Sequence, residues 1–335
     1  MKNVPLISVI IPVYETEGFL FQCLRTVYTQ DFDSFEVVVV SDASPGRDSN
    51  GRSAKKLVRL AQKESNRYRK ENNLAPVSFR FIEHNENRGL IEVRRTLCYE
   101  ARGMYITQLD SDDLMESGAL SALYAASREG TVDIVHGTST AGYFNAEGDF
   151  IPLKENRYGK IFYGQVNGRE VFHRWLVDGL FTANTWGKLI KRELFVKGYR
   201  NIPYTQCNMA DDVLLFFFLS QYANSYIGIE TKVYKYRVNS GMSSGRKIDT
   251  LHKWKMICST ASVFTIISQW IKENEGALMP EEVEKIRGMT RMYLANNIAQ
   301  MKEVVLPELK TEARQMLCEY WGASFVERME AAMNK

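Results

Sequence analysis

The sequence has 335 residues, of which 45% are hydrophobic and 25% are charged, with a formal net charge of +3 at pH 7. This composition is typical of a globular protein and excludes intrinsic disorder, collagen and a coiled-coil rod. Because 43 basic residues stand against 40 acidic ones, the bulk charge does not indicate a nucleic-acid partner. The five cysteines are scattered without a CxxC pair, which indicates a reducing compartment and predicts a cytoplasmic location.

Strand and helix patterns alternate through the first third of the chain. Four apolar runs have the length of buried strands, and helical patterns separate them. The alternation predicts an α/β fold with βαβ units and a mainly parallel sheet, which binds ligands beyond the carboxyl ends of its strands. The predicted strands are 6–11, 35–40, 77–82 and 104–109, and the predicted helices are 19–27, a basic stretch that ends near 72, and 90–101.

The later segments have other patterns. Short strands, loops and aromatic-rich stretches are expected from about 131 to 245, and helices from there to the end. The uncharged run 256–271 is shorter than the roughly 20 apolar residues of a membrane-spanning helix, which favours a packed helix over an interfacial one. The basic helix at 52–70 indicates either a solvated face or peripheral contact with anionic lipid at the inner face of a membrane.

Two widespread enzyme motifs are missing and a third is incomplete. The chain has no GxxxxGK[ST] phosphate loop and no GxGxxG fingerprint, which argues against P-loop NTPases and standard dinucleotide-binding proteins. Residues 241–245 match the GxSxG hydrolase elbow, but the only later histidine is His252, with Asp249 as the only acid between them. We do not expect a hydrolase, because its triad residues come from separate loops.

An acidic turn directly follows the strand predicted at 104–109. Asp110, Asp112 and Asp113 place three carboxylates within four residues, and these charges repel one another unless a cation or basic side chains compensate them. Mg²⁺ and Mn²⁺ take oxygen ligands and are often shared with substrate phosphates, so the turn is a candidate metal site. The alternative is that Asp113 caps a helix at 115–128 without any metal.

Four further motifs precede this turn in a fixed order. They are SVIIPVYE at 8–15, VVSDAS at 39–44, a segment from NRGL to Arg94 at 87–94, and ARGMYI at 101–106. With this order and spacing the chain resembles the family 2 inverting glycosyltransferases of bacterial polysaccharide synthesis, strongly over 6–115 and more weakly over 180–245. The resemblance implies a GT-A fold, in which helices flank a Rossmann-like, mainly parallel sheet, with a C-terminal helical extension. It also implies a nucleotide-sugar-binding half at 1–135, an acceptor-binding half at 136–245 and a helical region at 246–335.

The resemblance assigns residues to a donor site. Tyr14 would lie against the nucleotide base, and an aromatic face at a strand end suits stacking on a pyrimidine. Asp42 would accept the uracil N–H, and the alternative is an Asx residue that stabilises its turn. The family usually carries an acid at Ser41 and a glycine at Ala43, so the chain departs from the pattern beside Asp42. The implied nucleotide contacts are Pro12, Tyr14, Glu15, Asp42, Asn87, Arg94, Asp110 and Ser111.

The resemblance also implies ligands for a metal and a position for one arginine. By the same resemblance, Asp110 and Asp112 would ligate a divalent metal, Mg²⁺ or Mn²⁺, that bridges the diphosphate. Arg94 matches the family's arginine beside the nucleotide, but it is also a candidate partner of the acidic turn.

A second acidic motif, MADDVLLF, occupies residues 209–216. It resembles the family's Glu-Asp pair, in which Asp212 aligns with the catalytic base. Inverting sugar transfer needs a carboxylate that takes the proton of the acceptor hydroxyl. Asp211 replaces the usual glutamate, which leaves the assignment of the base ambiguous by one residue. The alternative is acidic capping of an apolar helix at 213–219.

Two more segments resemble parts of the family's active site. TWGKLIKRELF at 185–195 resembles the segment that lines the acceptor and donor-sugar site, where Trp186 and Lys188 are candidates. Trp186 would stack on a sugar or belong to the core. The loop 236–243 resembles a lid over the diphosphate, with Arg237 and Ser243 as contacts. The histidine that the family often has in this loop is missing here.

The resemblance thus implies an enzyme that moves a sugar from a UDP-linked donor to a hydroxyl of a saccharide or lipid-linked glycan. One alternative is a nucleotidyltransferase, which normally has a glycine-rich basic loop where this chain has YETE at 14–17. The other is a catalytically silent nucleotide-sugar-binding protein, although the expected loss of Asp112 or Asp212 is not seen. A monomer and a homo-oligomer are both compatible with the sequence.

Overall fold

The computed structural model describes residues 4–145, 148–154, 158–238 and 248–334. In these ranges the chain forms ten strands, twelve α-helices and one 3-10 turn at Pro307–Leu309. The strands are β1 Ile7–Val13, β2 Phe35–Ser41, β3 Ser78–Glu83, β4 Tyr105–Gln108, β5 Leu114–Met115, β6 Ile134–Phe144, β7 Phe150–Pro152, β8 Gln165–Asn167, β9 Lys188–Lys191 and β10 Ser225–Arg237. The helices are α1 Glu17–Tyr28, α2 Ala54–Glu71, α3 Leu90–Glu100, α4 Ala119–Ala126, α5 Glu170–Leu176, α6 Arg192–Arg200, α7 Asp211–Tyr222, α8 Leu251–Cys258, α9 Thr260–Glu273, α10 Pro280–Glu303, α11 Lys310–Trp321 and α12 Ala323–Met333.

The ten described strands form one sheet in the order β3-β2-β1-β4-β9-β6-β10-β5, with β7 beside β6 and β8 beside β10. Strand β1 is parallel to β2 and β4, and β2 is parallel to β3. The other half is mixed, because β9 is antiparallel to both β4 and β6 whereas β6 and β10 are parallel. The parallel half contains the βαβ units that the sequence predicts.

Helices cover both faces of the parallel strands. Successive residues of a strand point to opposite faces, so Val9 and Ile11 pack in a core with α1 and α2 whereas Ile10 packs in a core with α3 and α7. Every residue of β1 and β2 is buried, as expected for parallel strands with two covered faces. This sheet flanked by helices, with helices α8–α12 after it, confirms the predicted fold class.

The chain after the acidic turn differs from the prediction. Leu114 and Met115 pair with β10 as strand β5, so the helix expected at 115–128 begins only at Ala119. Gly118 occupies the position before that helix, with φ of +70°. The interpretation of Asp113 as a helix cap is therefore wrong.

Helices α8, α10, α11 and α12 form a third core, whereas α9 packs in the core that contains α3 and α7. Trp254, Leu294 and Leu317 are fully buried in the third core. The run 256–271 falls on α8 and α9, and Trp270 of α9 packs edge-on against Phe217 and Phe218 of α7, with ring centroids 5.5 and 6.0 Å apart. This confirms a packed helix. Across the described ranges, none of the helices combines the length and apolarity that crossing a bilayer requires.

Basic side chains of α2 lie in two environments. Lys55, Lys56 and Arg59 are exposed, whereas Arg69 is 1% exposed. The guanidinium of Arg69 donates to the carbonyls of residues 30 and 32 at 2.7 and 2.8 Å, and to the carboxylate of Asp33 at 3.2 Å. Arg69 therefore fastens α2 to the loop between α1 and β2 and does not belong to the solvated face.

We expect Arg69→Met to lower the free energy of unfolding by about 3–5 kcal/mol, because it leaves buried carbonyl groups without their donor. Urea denaturation measures this loss. The matched control is Arg59→Met on the exposed face of the same helix, which should change the stability by less than about 0.5 kcal/mol. Equal losses in the two variants would contradict the structural role of Arg69.

Candidate active site

The carboxyl ends of three parallel strands, β1, β2 and β4, lie along one edge of the sheet. Tyr14 follows β1, Asp42 follows β2, and Asp110 comes two residues after β4. The topology therefore brings three of the predicted donor-site positions together, at the edge where α/β sheets bind ligands.

Asp42 is 2% exposed, and the protein itself binds its carboxylate. Nδ1 of His84 lies 2.7 Å from Oδ1, and the backbone N–H groups of Arg88 and Gly89 donate at 3.0 and 2.9 Å. These bonds fasten the loop before α3 to the end of β2. The contact of Asp42 with a uracil ring stays a prediction.

The turns after β1 and β2 are joined to each other. Pro12 is buried in β1, Tyr14 is half-buried, and Glu15 is exposed with φ of +55°. The N–H of Glu15 donates to Oγ of Ser44 at 2.8 Å. Asn87 is exposed on the loop that Asp42 fastens. These positions surround the strand ends, and their contacts with a nucleotide stay predictions.

The acidic turn contains three carboxylates in different environments. Asp110 and Asp112 are half-buried, whereas Asp113 is 1% exposed. Oη of Tyr234 donates to Asp113 at 2.7 Å, and the backbone N–H of Arg237 donates to its other oxygen at 2.6 Å. Burial raises the pKa of Asp113 well above its ordinary value, and the charges of Asp112 and Asp110 add to the effect. Asp113 therefore fastens β10 to the turn, while the other two carboxylates are more accessible.

Helix α1 and the residue before it form hydrogen bonds with the acidic turn. Oγ of Ser111, which is buried, lies 2.6 Å from Oγ1 of Thr16. The thiol of Cys23 donates to the carbonyl of Asp110 at 3.6 Å. The predicted nucleotide contact Ser111 is thus bonded to the residue before α1.

Arg237, the predicted diphosphate contact, is the last residue of β10, and its side chain contacts the acidic turn. Its Nε donates to the carbonyl of Asp112 at 2.7 Å, and its guanidinium lies between the rings of Phe19 and Phe144, 4.6 and 4.1 Å from their centroids. Burial lowers the pKa of Arg237. Ser243, the other predicted lid contact, lies outside the described residues.

Arg94 connects two acidic motifs. It is 5% exposed, and its Nη1 donates to Asp211, 117 positions away in the chain, while its Nη2 donates to Asp110 at 3.1 Å. In the amide orientation that satisfies its neighbours, Gln108 donates to Thr185 and accepts from Nη2 and Nε of Arg94 at 2.7 and 2.8 Å. Arg94 is therefore a partner of the acidic residues, and its contact with a nucleotide stays a prediction.

Helix α7 begins two residues earlier than predicted, so Asp211 and Asp212 both lie in its first turn, where the helix dipole favours negative charge. Asp211 is 6% exposed and paired with Arg94, whereas Asp212 is half-buried and accepts the N–H of Val213 at 2.8 Å. Burial, followed by the charge of Asp211, raises the pKa of Asp212 to about 6, while Arg94 and Lys188 oppose the rise. A carboxylate with this pKa can accept a proton near neutral pH.

Trp186 belongs to a stack of aromatic rings. Its ring centroid lies 4.8 Å from that of Tyr234 and 5.6 Å from that of Tyr236, each at an interplanar angle of 24°. Tyr236 in turn stacks on Tyr158 at 4.7 Å, and Tyr158 is 40% exposed. The stack runs from the acidic turn to the surface. Trp186 packs within the protein on one side, and its contact with a sugar stays a prediction.

Lys188, the first residue of β9, is fully buried. Its Nζ donates to the carbonyls of Thr182, at 3.0 Å, and Asn184, and it lies 5.4 Å from the ring centroid of Phe216. Burial lowers the pKa of Lys188 to about 7, although the charge of Asp212 opposes this change. Lys188, the predicted sugar contact, is therefore completely covered by protein. Its bonds hold the segment before Trp186 in place.

Asp110 and Asp112 are chemically suited to a shared metal. Among the described residues, no group of three or more His, Cys, Asp or Glu side chains is arranged to hold an ion. Mg²⁺ often combines one or two carboxylates with water and substrate phosphates rather than a complete protein cage. The two half-buried carboxylates fit a hard cation of this kind when a diphosphate is bound beside them.

Three structural partners of the site, His84, Gln108 and Tyr234, were not predicted from the sequence. Each is a single polar residue without a spacing pattern, and each is bonded to a predicted site residue from another element, namely Asp42, Arg94 and Asp110. Their positions near strand ends were the only feature of the sequence that could have indicated a role in the site.

Comparison with known families identifies the class of protein. The family described as "Glycosyl transferase family 2" matches residues 8–197, more than half of the chain. The chain therefore belongs to this family of glycosyltransferases. The predicted family is confirmed, and the nucleotidyltransferase alternative is wrong. Asp211 and Asp212 lie beyond the matched range.

Two bacterial relatives are similar to parts of the chain. The glycosyltransferase GlyA of Streptococcus pneumoniae is 26% identical over 297 residues, which cover 88% of this chain and 38% of GlyA. The GalNAc(5)-diNAcBac-PP-undecaprenol beta-1,3-glucosyltransferase of Campylobacter jejuni is 27% identical over 161 residues, which cover 48% of this chain and 43% of that protein. The chain thus spans less than half the length of either relative.

A solved structure supports the fold. Mannosyltransferase PcManGT from Pyrobaculum calidifontis, in complex with GDP-Man and Mn²⁺, has a TM-score of 0.50 and 18% identity, with 98% of this chain and 85% of that chain covered. The similarity concerns the shared α/β architecture.

Proposed function

We propose that the chain is an inverting, metal-assisted glycosyltransferase with a UDP-linked donor and a saccharide or lipid-linked glycan acceptor. One observation carries this proposal: a single guanidinium, that of Arg94, pairs with both Asp110 and Asp211. The acidic turn of Asp110, Asp112 and Asp113, hereafter the donor turn, and the acidic start of α7 therefore belong to one site. Direct transfer from donor to acceptor requires this proximity of a leaving-group site and a base.

The donor would bind at the edge formed by β1, β2 and β4. Tyr14 is half-buried there and can stack on a uracil ring. Asp110 and Asp112 would hold a Mg²⁺ or Mn²⁺ ion, which when bound neutralises the charge of the diphosphate leaving group. The exposed residues Glu15 and Asn87 line the same edge.

Asp212 would act as the base in a single displacement. The acceptor oxygen attacks the anomeric carbon from the face opposite the diphosphate, and its proton passes to the carboxylate of Asp212. The bond between the anomeric carbon and the diphosphate oxygen breaks, and its electron pair leaves with the diphosphate. Attack from the opposite face inverts the configuration. Asp212 suits this task better than Asp211 because it is the more accessible of the two.

The acceptor proposal draws on the relative from Campylobacter jejuni, whose name describes an undecaprenol-linked glycan and a beta-1,3 linkage. A lipid-linked glycan is accordingly proposed as one acceptor class. Peripheral contact with anionic lipid through the exposed lysines of α2, and a cytoplasmic location, belong to the same proposal.

Thermal unfolding in the presence of UDP-, GDP- and dTDP-sugars with Mn²⁺ tests the donor class. A ligand that binds the native state raises the apparent stability, so a UDP-sugar is expected to raise the Tm most. Equal shifts with all three nucleotides, or none, would argue against a UDP donor. Stabilisation by a UDP-sugar without any turnover would favour the catalytically silent alternative.

The pH dependence of kcat/KM provides a second test. Because Asp212 must be deprotonated to accept a proton, and its pKa is raised to about 6, the rate should be level above that pH and fall below it. Initial rates of UDP release between pH 4 and 8 measure the profile. A rate that stays level down to about pH 4, the ordinary range of a carboxyl group, would contradict this role.

A further inference from the structure

We propose that Arg94 is a positioning residue: it holds Asp110 and Asp211 with one guanidinium and so places Asp212 as the base beside the donor turn. This inference rests on the proposed function. It gives Arg94 a role other than the nucleotide contact that the family resemblance implies.

The first support is that protein acceptors occupy every nitrogen of the guanidinium. Nη1 donates to Asp211, Nη2 donates to Asp110 and Gln108, and Nε donates to Gln108. The side chain is also buried, with 7% of its surface exposed. Four of the five N–H groups of the guanidinium thus have protein acceptors, so a nucleotide could reach only the second N–H of Nη1 unless one of these charge-assisted bonds breaks.

The second support is the asymmetry of the acidic pair. Asp211 and Asp212 are neighbours in the first turn of α7, and two like charges this close disfavour each other's ionised form. Arg94 pairs with Asp211 and not with Asp212. The guanidinium therefore gives one carboxylate a structural partner and leaves the other in position for the acceptor.

The charged and titratable groups around Asp212 come from several elements. Arg94 on α3 and Lys188 on β9 favour its ionised form, and Asp211 disfavours it. Tyr293 of α10 and Cys207 before α7 are also within electrostatic reach of Asp212. Of these groups, Arg94 is the one that also contacts Asp110 of the donor turn, so it fixes the start of α7 relative to that turn.

The experiment compares Arg94→Met and Arg94→Lys with the wild type. We expect Arg94→Met to lower kcat by about 100-fold, as for a misplaced base, while the affinity for UDP with Mn²⁺, measured by calorimetry, changes by less than about threefold. The acidic limb of the kcat/KM profile should move to higher pH in Arg94→Met. Adding Asp211→Asn should move it back, because the repelling charge is removed. Arg94→Lys should restore part of kcat.

The matched control is Arg95→Met, the next residue of α3. Arg95 donates to Glu92 at 2.8 Å and to the carbonyls of Tyr199 and Ile202, away from the acidic turn. Its substitution should leave kcat and the pH limb unchanged. If Arg94→Met fails to fold by circular dichroism, Arg94→Lys carries the comparison of kcat with UDP affinity, since it keeps the charge but cannot bridge both carboxylates in the same geometry.

A loss of UDP affinity of about tenfold or more with kcat unchanged would show that Arg94 is a nucleotide contact and would overturn the proposal. An unshifted pH limb in Arg94→Met would also overturn it. Turnover by the wild type and its loss in Asp212→Asn are measured first on the same UDP-sugar. Failure at that step concerns the proposed function, whereas UDP binding by the Arg94 variants reports on the arginine by itself.

Discussion

Asp212→Asn is expected to lower kcat by roughly 10²–10⁴-fold, the usual contribution of a positioned general base. The amide cannot take the proton of the acceptor hydroxyl, although it can still accept the N–H of Val213 that Asp212 accepts at 2.8 Å. Since Asp212 lies on α7 and not on the turns after β1 and β2, UDP affinity should stay within about threefold. Steady-state UDP release and calorimetry measure the two quantities.

Asp211→Asn is the matched control, because it removes a carboxylate one residue away. It weakens the pair with Arg94 but keeps the proton acceptor, so its kcat should remain at least about tenfold above that of Asp212→Asn. Full activity in Asp212→Asn, or a greater loss in Asp211→Asn, would transfer the base assignment to Asp211.

The second large effect is expected for Asp112→Asn. Stabilisation of a diphosphate leaving group by a divalent cation is worth several kcal/mol, so the loss of a ligand should lower kcat/KM by about 100-fold or more. The wild type should bind UDP more tightly with Mn²⁺ than with EDTA, and the variant should lose most of this difference. Calorimetric titrations in the two buffers measure it.

Asp113→Asn separates metal binding from the total charge of the turn. Tyr234 and Arg237 bind the Asp113 carboxylate, so its substitution should leave the response to Mn²⁺ intact. If Asp113→Asn abolished the response while Asp112→Asn retained it, the assignment of the metal ligands within the turn would be wrong.

The parallel half of the fold could be predicted because its signals are local. Continuous apolar runs separated by helical patterns define β1 to β4, and the resemblance places the acidic turn at the end of β4. Because the carboxyl ends of parallel strands lie along one edge of a sheet, the proximity of Tyr14, Asp42 and Asp110 could be predicted from the sequence.

The remaining features depend on partners that are distant in sequence. Strand β5 exists because Leu114 and Met115 meet β10, about 120 positions later, and a two-residue strand carries no periodic pattern of its own. The burial of Lys188 and the pairing of Arg94 with Asp211 also require the packing of α7 against the sheet. Tertiary contacts of this kind override local propensity.

The configuration of the product tests the proposed single displacement with inversion most directly. Time-resolved ¹H NMR can follow the sugar released or transferred from an α-linked UDP-sugar in the presence of Mn²⁺, with water as the attacking group when no acceptor is supplied. Inversion at the anomeric carbon predicts that the first product formed, before any mutarotation, has the β configuration. A first product with the α configuration would contradict it.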